Sequence, residues 1–342
     1  MKNLIDKLEK NRILSREDFK ELLPCDEPYL YERARAVRRQ YFGRQIFLRG
    51  LIEFTSYCKN NCYYCGLRRG NAAAERYRLT KEQIMDCCKT GYGLGFRTFV
   101  LQGGEDGFYT DDILEKIVRK IKAAYPDCAI TLSAGERNFD SYLRLYEAGA
   151  DRYLLRHETA NEAHYGTIHP PEMSAANRKK CLYDLKEIGY QVGCGFMVGS
   201  PGQSPDHIVD DLLFIREFDP EMAGIGPFMP HSFTPYAHEK PGDLRLTLNI
   251  LAILRLMKPN LLIPATTALA TLDGRGRELG VLAGANVVMP NLSPLEARSK
   301  YLLYDDKICT GDEAAECLMN MRGRMESIGY KIAVTRGDYI AV

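Results

Sequence analysis

The sequence predicts an α/β fold, a (β/α)8 TIM-type barrel with an N-terminal helical extension and a short C-terminal α/β tail. Short runs rich in β-branched and aromatic residues alternate with amphipathic helical stretches along most of the chain. Eight such strands can be distinguished, and strands that alternate with helices pair in parallel through right-handed crossovers. A chain of 342 residues is long enough to close this ring as one domain.

Ahead of the barrel, residues 1–44 are predicted to form the helical extension. The run Ser15-Arg16-Glu17-Asp18 fits an N-terminal capping box, and the stretch from Glu32 to Arg39 is rich in helix formers. The barrel is expected over residues 45–304. Its strands are predicted at 45–54, 97–102, 128–133, 152–156, 191–198, 222–226, 261–265 and 285–289.

The helices between these strands have recognisable starts, because Thr or Ser precedes a first turn that suits a helix N-terminus. These signals are Thr80, Thr110, Ser204 and Ser293. After the barrel, residues 305–342 are expected to form a tail packed on it. One helix is predicted near 312–328 and a final strand near 330–334.

The balance of charge argues against some classes of partner. The chain carries 46 basic and 45 acidic side chains, a net charge of +1, so neither nucleic acid nor an anionic membrane surface is expected to bind it. Its first residues form a charged helical segment instead of a signal peptide, and no run of about 18 apolar residues could span a bilayer. We therefore expect a soluble protein of the cytoplasm.

The strongest motif is the Cys-x3-Cys-x2-Cys spacing of Cys58, Cys62 and Cys65, within a total of eleven cysteines. Without a secretion signal the expected compartment is reducing, where clustered cysteines more often bind metal than form disulfides. A closed structural zinc site takes four protein ligands, and four cysteines normally hold a four-iron cluster. Three thiolates therefore leave one iron with a position open to an outside ligand.

Two simpler interpretations of these cysteines fit less well. A zinc knuckle would lack its fourth ligand, since no histidine stands nearby in the sequence. A thioredoxin-like redox pair of Cys62 and Cys65 would leave Cys58 unexplained. The iron–sulfur interpretation is favoured because it uses all three thiols.

Polar residues follow several predicted strands, at the barrel end where active sites of this fold lie. The most informative run is Gln102-Gly103-Gly104-Glu105-Asp106 after the second strand, because two glycines let a ligand approach the backbone closely. Arg156 and Glu158 flank the end of the fourth strand, and Thr266-Thr267 follow the seventh. A tight turn and an ordinary Arg–carboxylate pair are the structural alternatives for the first two features.

Arg49 and Arg152 lie inside predicted strands, where a charge is costly unless it is paired or binds an anion. A salt bridge within the barrel, for instance with Glu53, would be the structural explanation. The functional one is a cavity for a small, negatively charged substrate, to which Thr266 and Thr267 would add hydroxyl donors.

With these motifs in place, the chain resembles the radical S-adenosylmethionine (radical SAM) enzymes of the biotin synthase-like group, and more closely the HydE family of [FeFe]-hydrogenase maturases. The resemblance covers residues 30–310. The runs that carry it are 58–69, 101–106, 151–161, 224–231 and 263–268.

The resemblance implies a [4Fe-4S] cluster on the three cysteines and S-adenosylmethionine (SAM) on its open iron. In such enzymes the glycine-rich loop receives the methionine ammonium, Glu158 would accept the ribose hydroxyls, and Arg178 would hold the carboxylate. An aromatic residue beside the adenine corresponds to Tyr64, whereas Met197 could equally be a core residue. The implied cofactor-binding set is Tyr64, Gln102, Gly103, Gly104, Glu105, Ser133, Arg156, Glu158, Arg178, Met197 and Met229.

The resemblance also implies an enzyme that reductively cleaves SAM to a 5′-deoxyadenosyl radical. In HydE-like proteins this radical attacks the sulfur of a cysteine-bound iron carbonyl cyanide complex, a small anionic species delivered by HydG, and the product passes towards HydF. The implied catalytic residues are Arg49, Arg152 and Tyr301. The implied substrate contacts are Thr131, Met222, Thr266, Thr267 and Met289, although Met222, Met289 and Tyr301 could simply pack the barrel.

Two departures from the family pattern stand out. Some HydE proteins carry a second, peripheral cluster on three tail cysteines; Cys309 and Cys317 match two of those positions, but Asn320 stands at the third. We expect this second cluster to be absent or incomplete. Gly103 occupies a position that is often Ser in the family, which would loosen a substrate contact.

Other reactions remain open at this point. A methylornithine synthase-type mutase would share most of these features. A sulfur insertion like that of biotin synthase needs a second cluster within the barrel, but Gly193 instead of Cys194 falls at the matching position, and a shift of one residue reverses the side-chain direction. A non-catalytic iron–sulfur carrier would have no use for the loop of residues 102–106.

Overall fold

The structure is a computed structural model that describes residues 1–308 and 314–341. Its helices are α1 (Lys2–Asn11), α2 (Arg16–Leu22), α3 (Pro28–Phe42), α4 (Lys81–Gly93), α5 (Asp111–Ala124), α6 (Phe139–Glu147), α7 (Glu162–Ile168), α8 (Ala175–Ile188), α9 (Pro205–Phe218), α10 (Leu244–Met257), α11 (Thr267–Leu272), α12 (Gly276–Leu282), α13 (Leu295–Arg298) and α14 (Ala314–Ser327). Its strands are β1 (Gln45–Leu48), β2 (Gly50–Thr55), β3 (Thr98–Gly103), β4 (Ala129–Ser133), β5 (Arg152–Leu154), β6 (Gln191–Cys194), β7 (Met197–Val198), β8 (Met222–Ala223), β9 (Gly226–Pro227), β10 (Val287–Val288) and β11 (Lys331–Ala333).

Side-chain caps start several of these helices where the sequence predicts them. The Ser15 hydroxyl accepts a hydrogen bond from the Asp18 amide at 3.1 Å and begins α2. At α4 the capping is reciprocal, since Thr80 accepts from the Gln83 amide and the Gln83 side chain accepts from the Thr80 amide. Ser204 caps α9 in the same way. These bonds satisfy amide groups that would otherwise lack a partner at a helix start.

The strands pair in parallel around a ring. Six of them form a sheet in the order β2-β3-β4-β5-β6-β8. From β8 the parallel pairing continues through single bridges, from Met222 to Leu262 and from Pro264 to Val287. Val287 lies on β10, which pairs in parallel with β1, and β1 leads directly into β2. The pairing thus returns to the strand where it began, and the predicted (β/α)8 class is confirmed.

The fifth, sixth and seventh barrel strands are shorter than predicted. The predicted strands 191–198 and 222–226 are each divided into two short pieces. Gly195 has a φ of +150°, and a Cβ atom at this position would lie 2.2 Å from the Gly224 carbonyl oxygen. The two segments therefore approach too closely for a regular ladder to continue. In the predicted strand 261–265, only Leu262 and Pro264 form parallel bridges.

The N-terminal helices are tied to the outer helical layer. Asn249 of α10 donates hydrogen bonds through Nδ2 to the carbonyls of Leu23 and Cys25, at 2.9 and 2.8 Å. Arg12 donates through Nη1 to the Leu256 carbonyl at 2.8 Å. Apolar side chains of α1 to α3 are continuous with the main hydrophobic core. No helix within residues 1–308 and 314–341 is both long and apolar enough to cross a bilayer.

From β11 onward, the C-terminal tail lies across the amino-terminal ends of the barrel strands. Strand β11 adds to β1 in parallel, so the tail reaches the barrel floor. There Asp338 pairs with Arg152 at 2.5 Å, while the Arg336 carbonyl accepts from Thr98 and from Arg152. The tail thus surrounds the Arg152 guanidinium, whose side chain has no exposed area.

Removing the carboxylate of Asp338 is expected to destabilise the fold without weakening SAM binding. Asp338→Asn would leave the fully buried Arg152 guanidinium without its carboxylate. Because the Asp338 side chain is 35% exposed, we expect a loss of about 3 kcal/mol, the lower end for breaking a buried pair. The free energy of unfolding from urea titration measures this loss. Asp127→Asn is the control, because the Asp127 side chain is 49% exposed in its pair with Arg97, and a pair at the surface should contribute less than about 1 kcal/mol. Equal small losses for both variants would contradict the assignment.

Candidate functional site

A cavity of about 290 Å³ opens at the carboxyl-terminal ends of the barrel strands. The three motif cysteines line it, together with all eleven residues that the sequence implied for cofactor binding. The predicted set is Cys58, Cys62, Cys65, Tyr64, Gln102, Gly103, Gly104, Glu105, Ser133, Arg156, Glu158, Arg178, Met197 and Met229. These residues come from loops and strand ends that are far apart in sequence, and the fold brings them to one surface.

The loop that carries the cysteines follows β2 and is held by backbone contacts. The Lys59 amide donates to the Glu105 carbonyl at 2.9 Å. Arg76 donates hydrogen bonds through Nη1 to the carbonyls of Ser56 and Leu67, at 2.5 and 2.9 Å, and so joins the two ends of the cysteine loop. The three thiols are free and partly exposed to the cavity. The loop therefore presents its sulfur atoms on a fixed frame.

Three thiols match the number of protein ligands of a four-iron cluster with one open iron, whereas a closed structural zinc site takes four. In the described part of the chain, no three His, Cys, Asp or Glu side chains converge on a point that could hold one metal ion. Thiolates of an iron–sulfur cube bind different irons and need not converge. Burial raises the pKa of Cys65 to about 12 and raises the pKa values of Cys58 and Cys62 as well, so cluster assembly must expel thiol protons.

The glycine-rich loop after β3 packs directly on the cysteine loop. A Cβ atom at Gly104 would lie 2.2 Å from the Tyr57 carbonyl oxygen and 2.7 Å from the Cβ of Cys58. Only glycine fits this contact without displacing Cys58. At Gly103 a Cβ would lie 2.7 Å from the Thr55 Cγ2, so the serine common in the family would require Thr55 to move.

Glu105 and Arg178 form the charged end of the cavity, and Glu136 pairs with Arg178. The Arg178 Nε lies 2.8 Å from Glu136 Oε1, and its Nη1 lies 3.9 Å from Glu105 Oε1. Burial alone would lower the pKa of Arg178, but Glu136 and the neighbouring anionic groups outweigh it and hold that pKa well above its usual value. Arg178 therefore remains a cation beside carboxylates, a combination that matches the carboxylate and ammonium of an amino acid.

Arg156 and Glu158 reach the cavity with polar atoms that lack hydrogen bonds. Arg156 Nη2 and Glu158 Oε2 form an ion pair at 3.2 Å, so the Arg–carboxylate pair considered as an alternative does form. Within the described residues, however, Arg156 Nε and Nη2 and Glu158 Oε2 have no hydrogen-bond partner. Glu158 has a φ of +66°, an uncommon conformation for a residue with a side chain. Buried polar atoms of this kind are costly unless a ligand satisfies them. They fit the hydroxyl groups of a ribose.

Tyr64 and Met197 form an apolar slot in the wall of the same cavity. Tyr64 packs with Ile168, Met197 and Phe228. Its hydroxyl lies 3.3 Å from His169 Nε2, which holds the ring on edge to the imidazole. A flat aromatic base could occupy this slot. The residues present thus offer donors and acceptors for each part of SAM, and the three thiols offer ligands for a cluster.

The cavity of about 290 Å³ is called the cofactor cleft here. A second cavity of about 170 Å³, called the inner chamber, adjoins it and shares Gln102, Arg156 and Thr266 with it. Thr266, Thr267 and Met289, predicted as substrate contacts, line this inner chamber. Three charged residues that were not predicted as site residues also line it: Glu53, Arg277 and Lys307. Only Glu53 gave a signal, as a carboxylate inside a predicted strand.

Arg49, Thr131 and Met222 lie deeper, around a cavity of about 20 Å³. Arg49 Nη1 contacts the Met222 sulfur at 2.9 Å, and burial lowers the pKa of Arg49 well below its usual value. The Arg49–Glu53 salt bridge considered as an alternative is not formed, because Glu53 pairs with Lys307 at 2.6 Å.

The structure does not place Arg152 in the cavity, contrary to expectation. Arg152 is the first residue of β5, so its side chain lies at the barrel floor, where it bonds Asp338, Thr98 and Gln191. The ion pair with Asp338 explains how the buried Arg152 guanidinium is tolerated at the start of this strand. Tyr301 does line the cofactor cleft, and its hydroxyl accepts a long hydrogen bond from Gln102 at 3.4 Å.

Two further cluster sites were considered from the sequence, one on the tail cysteines and one inside the barrel near Cys194. Cys309 lies outside the described residues, and Cys317 is buried in α14; the prediction about a second peripheral cluster stays a prediction. Cys194 belongs to the main hydrophobic core. At Gly193 a Cβ atom would lie 2.6 Å from Leu154 Cδ1, so a cysteine there would require the Leu154 side chain to move.

Replacing Arg178 with methionine is expected to weaken SAM binding by roughly ten- to hundredfold, because hydrogen bonds to a charged partner contribute about 1.5–3 kcal/mol. Equilibrium binding to the cluster-loaded protein measures this change. Arg178→Lys keeps the charge but not the planar fork and should recover only part of the affinity. An unchanged affinity in Arg178→Met, with an intact fold, would contradict the role.

Comparison with known proteins agrees with this geometry. The Radical SAM superfamily matches residues 52–215. The [FeFe] hydrogenase maturase subunit HydE of Thermotoga maritima is 45% identical over 334 residues, 96% of this chain and 95% of the relative. A 3-methylornithine synthase of Methanosarcina acetivorans is 33% identical over 84% of this chain and 83% of its own. The crystal structure of methylornithine synthase superposes with a TM-score of 0.84 at 31% identity, covering 96% of this chain and 97% of that one. The chain is a radical SAM enzyme and belongs to the HydE family of [FeFe]-hydrogenase maturases.

Proposed function

We propose that this enzyme acts in assembly of the [FeFe]-hydrogenase di-iron subcluster, on the sulfur of a small anionic, cysteine-bound iron carbonyl cyanide complex. The observation that carries the proposal is the continuity of the two chambers. Gln102, Arg156 and Thr266 line both of them, so a group bound in the cofactor cleft and a substrate in the inner chamber would be direct neighbours. The 45% identity to HydE supports the same reaction.

Cys58, Cys62 and Cys65 would hold a [4Fe-4S] cluster, and the cleft would hold SAM. When bound, these groups supply the electron and the 5′-deoxyadenosyl radical that the chemistry needs. The protein's own residues bind and orient. Arg178 takes the carboxylate, Glu105 the ammonium and Glu158 the ribose hydroxyls, and the slot of Tyr64 and Met197 takes the adenine.

The charge of the inner chamber supports an anionic substrate. Arg156, Arg277 and Lys307 line it against a single lining carboxylate, Glu53. Glu53 pairs with Lys307, and Arg156 pairs with Glu158 of the cofactor cleft. Thr266 and Thr267 add hydroxyl groups, and Met289 and Leu51 supply apolar contacts. A cavity lined in this way favours a compact anion and excludes bulk water from a radical reaction.

Two partners follow from the proposal. A HydG-like protein would deliver the substrate, and a HydF-like protein would receive the product, with all three in the cytoplasm. We also propose that a second peripheral cluster is absent or incomplete, so that the reconstituted chain carries about four irons. A content near eight irons would contradict that part.

The test is activation of apo-hydrogenase in an extract that lacks HydE. Adding the wild-type chain should restore hydrogen evolution, and Cys62→Ser should not. If hydrogen evolution is not restored although the chain cleaves SAM, the maturase function is wrong and the radical SAM chemistry stands.

A methylornithine synthase-type mutase is the second candidate, because that enzyme's structure superposes over 96% of this chain. Formation of 3-methylornithine in a reconstituted assay, without restored hydrogenase activity, would favour it. Failure of both assays together with no SAM cleavage would favour a non-catalytic iron–sulfur carrier.

A further inference from the structure

Residues 301–308, called the strap here, lie over the mouth of the barrel. Tyr301, Leu303 and Tyr304 line the cofactor cleft, while Leu303, Tyr304 and Lys307 line the inner chamber. The strap therefore forms part of the wall of both chambers, although it follows the last barrel helix and lies outside the barrel strands.

Two hydrogen-bonded contacts tie the strap to loops around the site. The Gly66 amide, next to the cluster ligand Cys65, donates to the Leu303 carbonyl at 2.8 Å. On the other side, the Asp305 amide donates to the Pro230 carbonyl at 3.0 Å. Asp305 Oδ2 accepts from the Ser232 amide at 2.7 Å. The strap thus bridges the cysteine loop and the loop after β9.

A buried ion pair makes the third tie. Lys307 Nζ donates to Glu53 Oε1 at 2.6 Å, and the two side chains are 6% and 1% exposed. Asp306 has a φ of +56°, a turn conformation that short polar side chains tolerate. Asn291 donates to the second oxygen of Glu53 at 2.8 Å, so both oxygens of this carboxylate are bonded.

The same ammonium holds Tyr301. Lys307 Nζ donates to the Tyr301 carbonyl at 2.8 Å and lies 4.8 Å from the centre of its ring. One cation therefore contacts both the backbone and the aromatic face of a residue in the cofactor cleft. The Tyr301 hydroxyl reaches Gln102 on β3, at the boundary between the two chambers.

A pair of this kind adds little to stability. Burying two charges costs about as much as their attraction returns, and apolar residues of similar volume often stabilise a fold as well or better. The pair does link several groups, because Lys307 Nζ bonds both Glu53 Oε1 and the Tyr301 carbonyl. Its place in the chamber wall therefore points to a role in positioning.

We propose that Lys307, anchored by Glu53, is a positioning residue that keeps the strap closed and sets Tyr301 against the cofactor cleft. The inference concerns SAM cleavage and does not depend on which substrate the inner chamber receives. The positioning role can therefore be wrong while the maturase function is right. Equally, the maturase function can be wrong while the positioning role is right.

The test compares Lys307→Met with the double variant Glu53→Gln/Lys307→Met. The single variant leaves a buried carboxylate without its cation and should lower the melting temperature. The double variant removes both charges, and the amide oxygen introduced by Glu53→Gln can still accept from Asn291, so its melting temperature should return towards the wild-type value. Lys300→Met is the control, since Lys300 and Glu75 form an exposed pair beside the strap.

Hydrogen–deuterium exchange of residues 301–308 is the readout that separates position from stability. We expect exchange in the strap to rise roughly tenfold in both Lys307→Met and the double variant, with a comparable rise in the KM for SAM, because a charge-assisted bond is lost in each. Lys300→Met should change neither. Restoration of slow exchange in the double variant, or no change in the single one, would overturn the proposal.

A double-mutant cycle tests the action through Tyr301. If Lys307 works by positioning this ring, Lys307→Met should cause little further loss of 5′-deoxyadenosine formation in a Tyr301→Ala background. Fully additive losses would show that Lys307 does not act through Tyr301.

Discussion

Cys62→Ser is expected to abolish SAM cleavage. A serine oxygen is a poor substitute for a thiolate at iron, and only Cys58 and Cys65 would remain to hold the cluster. Iron content, visible absorption of the anaerobically reconstituted protein and 5′-deoxyadenosine formation should all fall to the background level. The effect is the largest predicted, because every later step needs the electron that the cluster transfers.

Cys87→Ser is the matched control. Cys87 is also a free cysteine, but it is buried on α4 within the hydrophobic core, away from the cavity. This variant should keep a wild-type iron content and lose only some stability. Equal loss of iron in Cys62→Ser and Cys87→Ser would mean that misfolding, and not loss of a ligand, explains the result.

Gly104→Ala should cost SAM binding and cleavage on the order of a hundredfold, because a displacement of about 1 Å at a reacting centre has that effect. The added methyl would stand 2.2 Å from the Tyr57 carbonyl oxygen and 2.7 Å from the Cβ of Cys58. Either the cysteine loop or the glycine-rich loop must move. SAM affinity of the cluster-loaded protein and the rate of 5′-deoxyadenosine formation measure the consequence.

The same loop provides a control in Gly107→Ala. A Cβ atom at Gly107 would meet nothing within 4 Å, so this variant should bind and cleave SAM as the wild type does. If Gly104→Ala also behaved as the wild type, the close packing of the two loops would not be what positions the cofactor.

The barrel and the cofactor cleft could be predicted from sequence because their signals are local. Strand periodicity, helix caps such as Thr80 with Gln83, and the spacing of Cys58, Cys62 and Cys65 each depend on a few neighbouring residues. The closed ring then places all strand ends on one face, which brings the separate motifs together.

The charge pairs inside the barrel could not be predicted because their partners come from the distant tail. Arg152 is neutralised by Asp338, 186 positions away, and Glu53 by Lys307, 254 positions away. Nothing near either residue in the sequence indicates these pairings. The expectation of an anion beside Arg152 followed correctly from the cost of a buried charge, but the anion is a carboxylate of the same chain.

The irregular sixth and seventh strands are a second feature that sequence patterns did not reveal. Apolar runs at 222–226 and 261–265 satisfy the rule for buried strands, yet only short pieces and single bridges form. The close approach of Gly195 to Gly224 is a contact between segments, and a contact of this kind cannot be read from either segment alone.

Mössbauer spectroscopy of the anaerobically reconstituted protein, recorded with and without SAM, shows whether Cys58, Cys62 and Cys65 hold a four-iron cluster with one open iron. We expect one of the four irons to lack a cysteine ligand, and the signal of this iron alone to change when SAM is added. Four equivalent irons that do not respond to SAM, or zinc in place of iron at Cys58, Cys62 and Cys65, would contradict it.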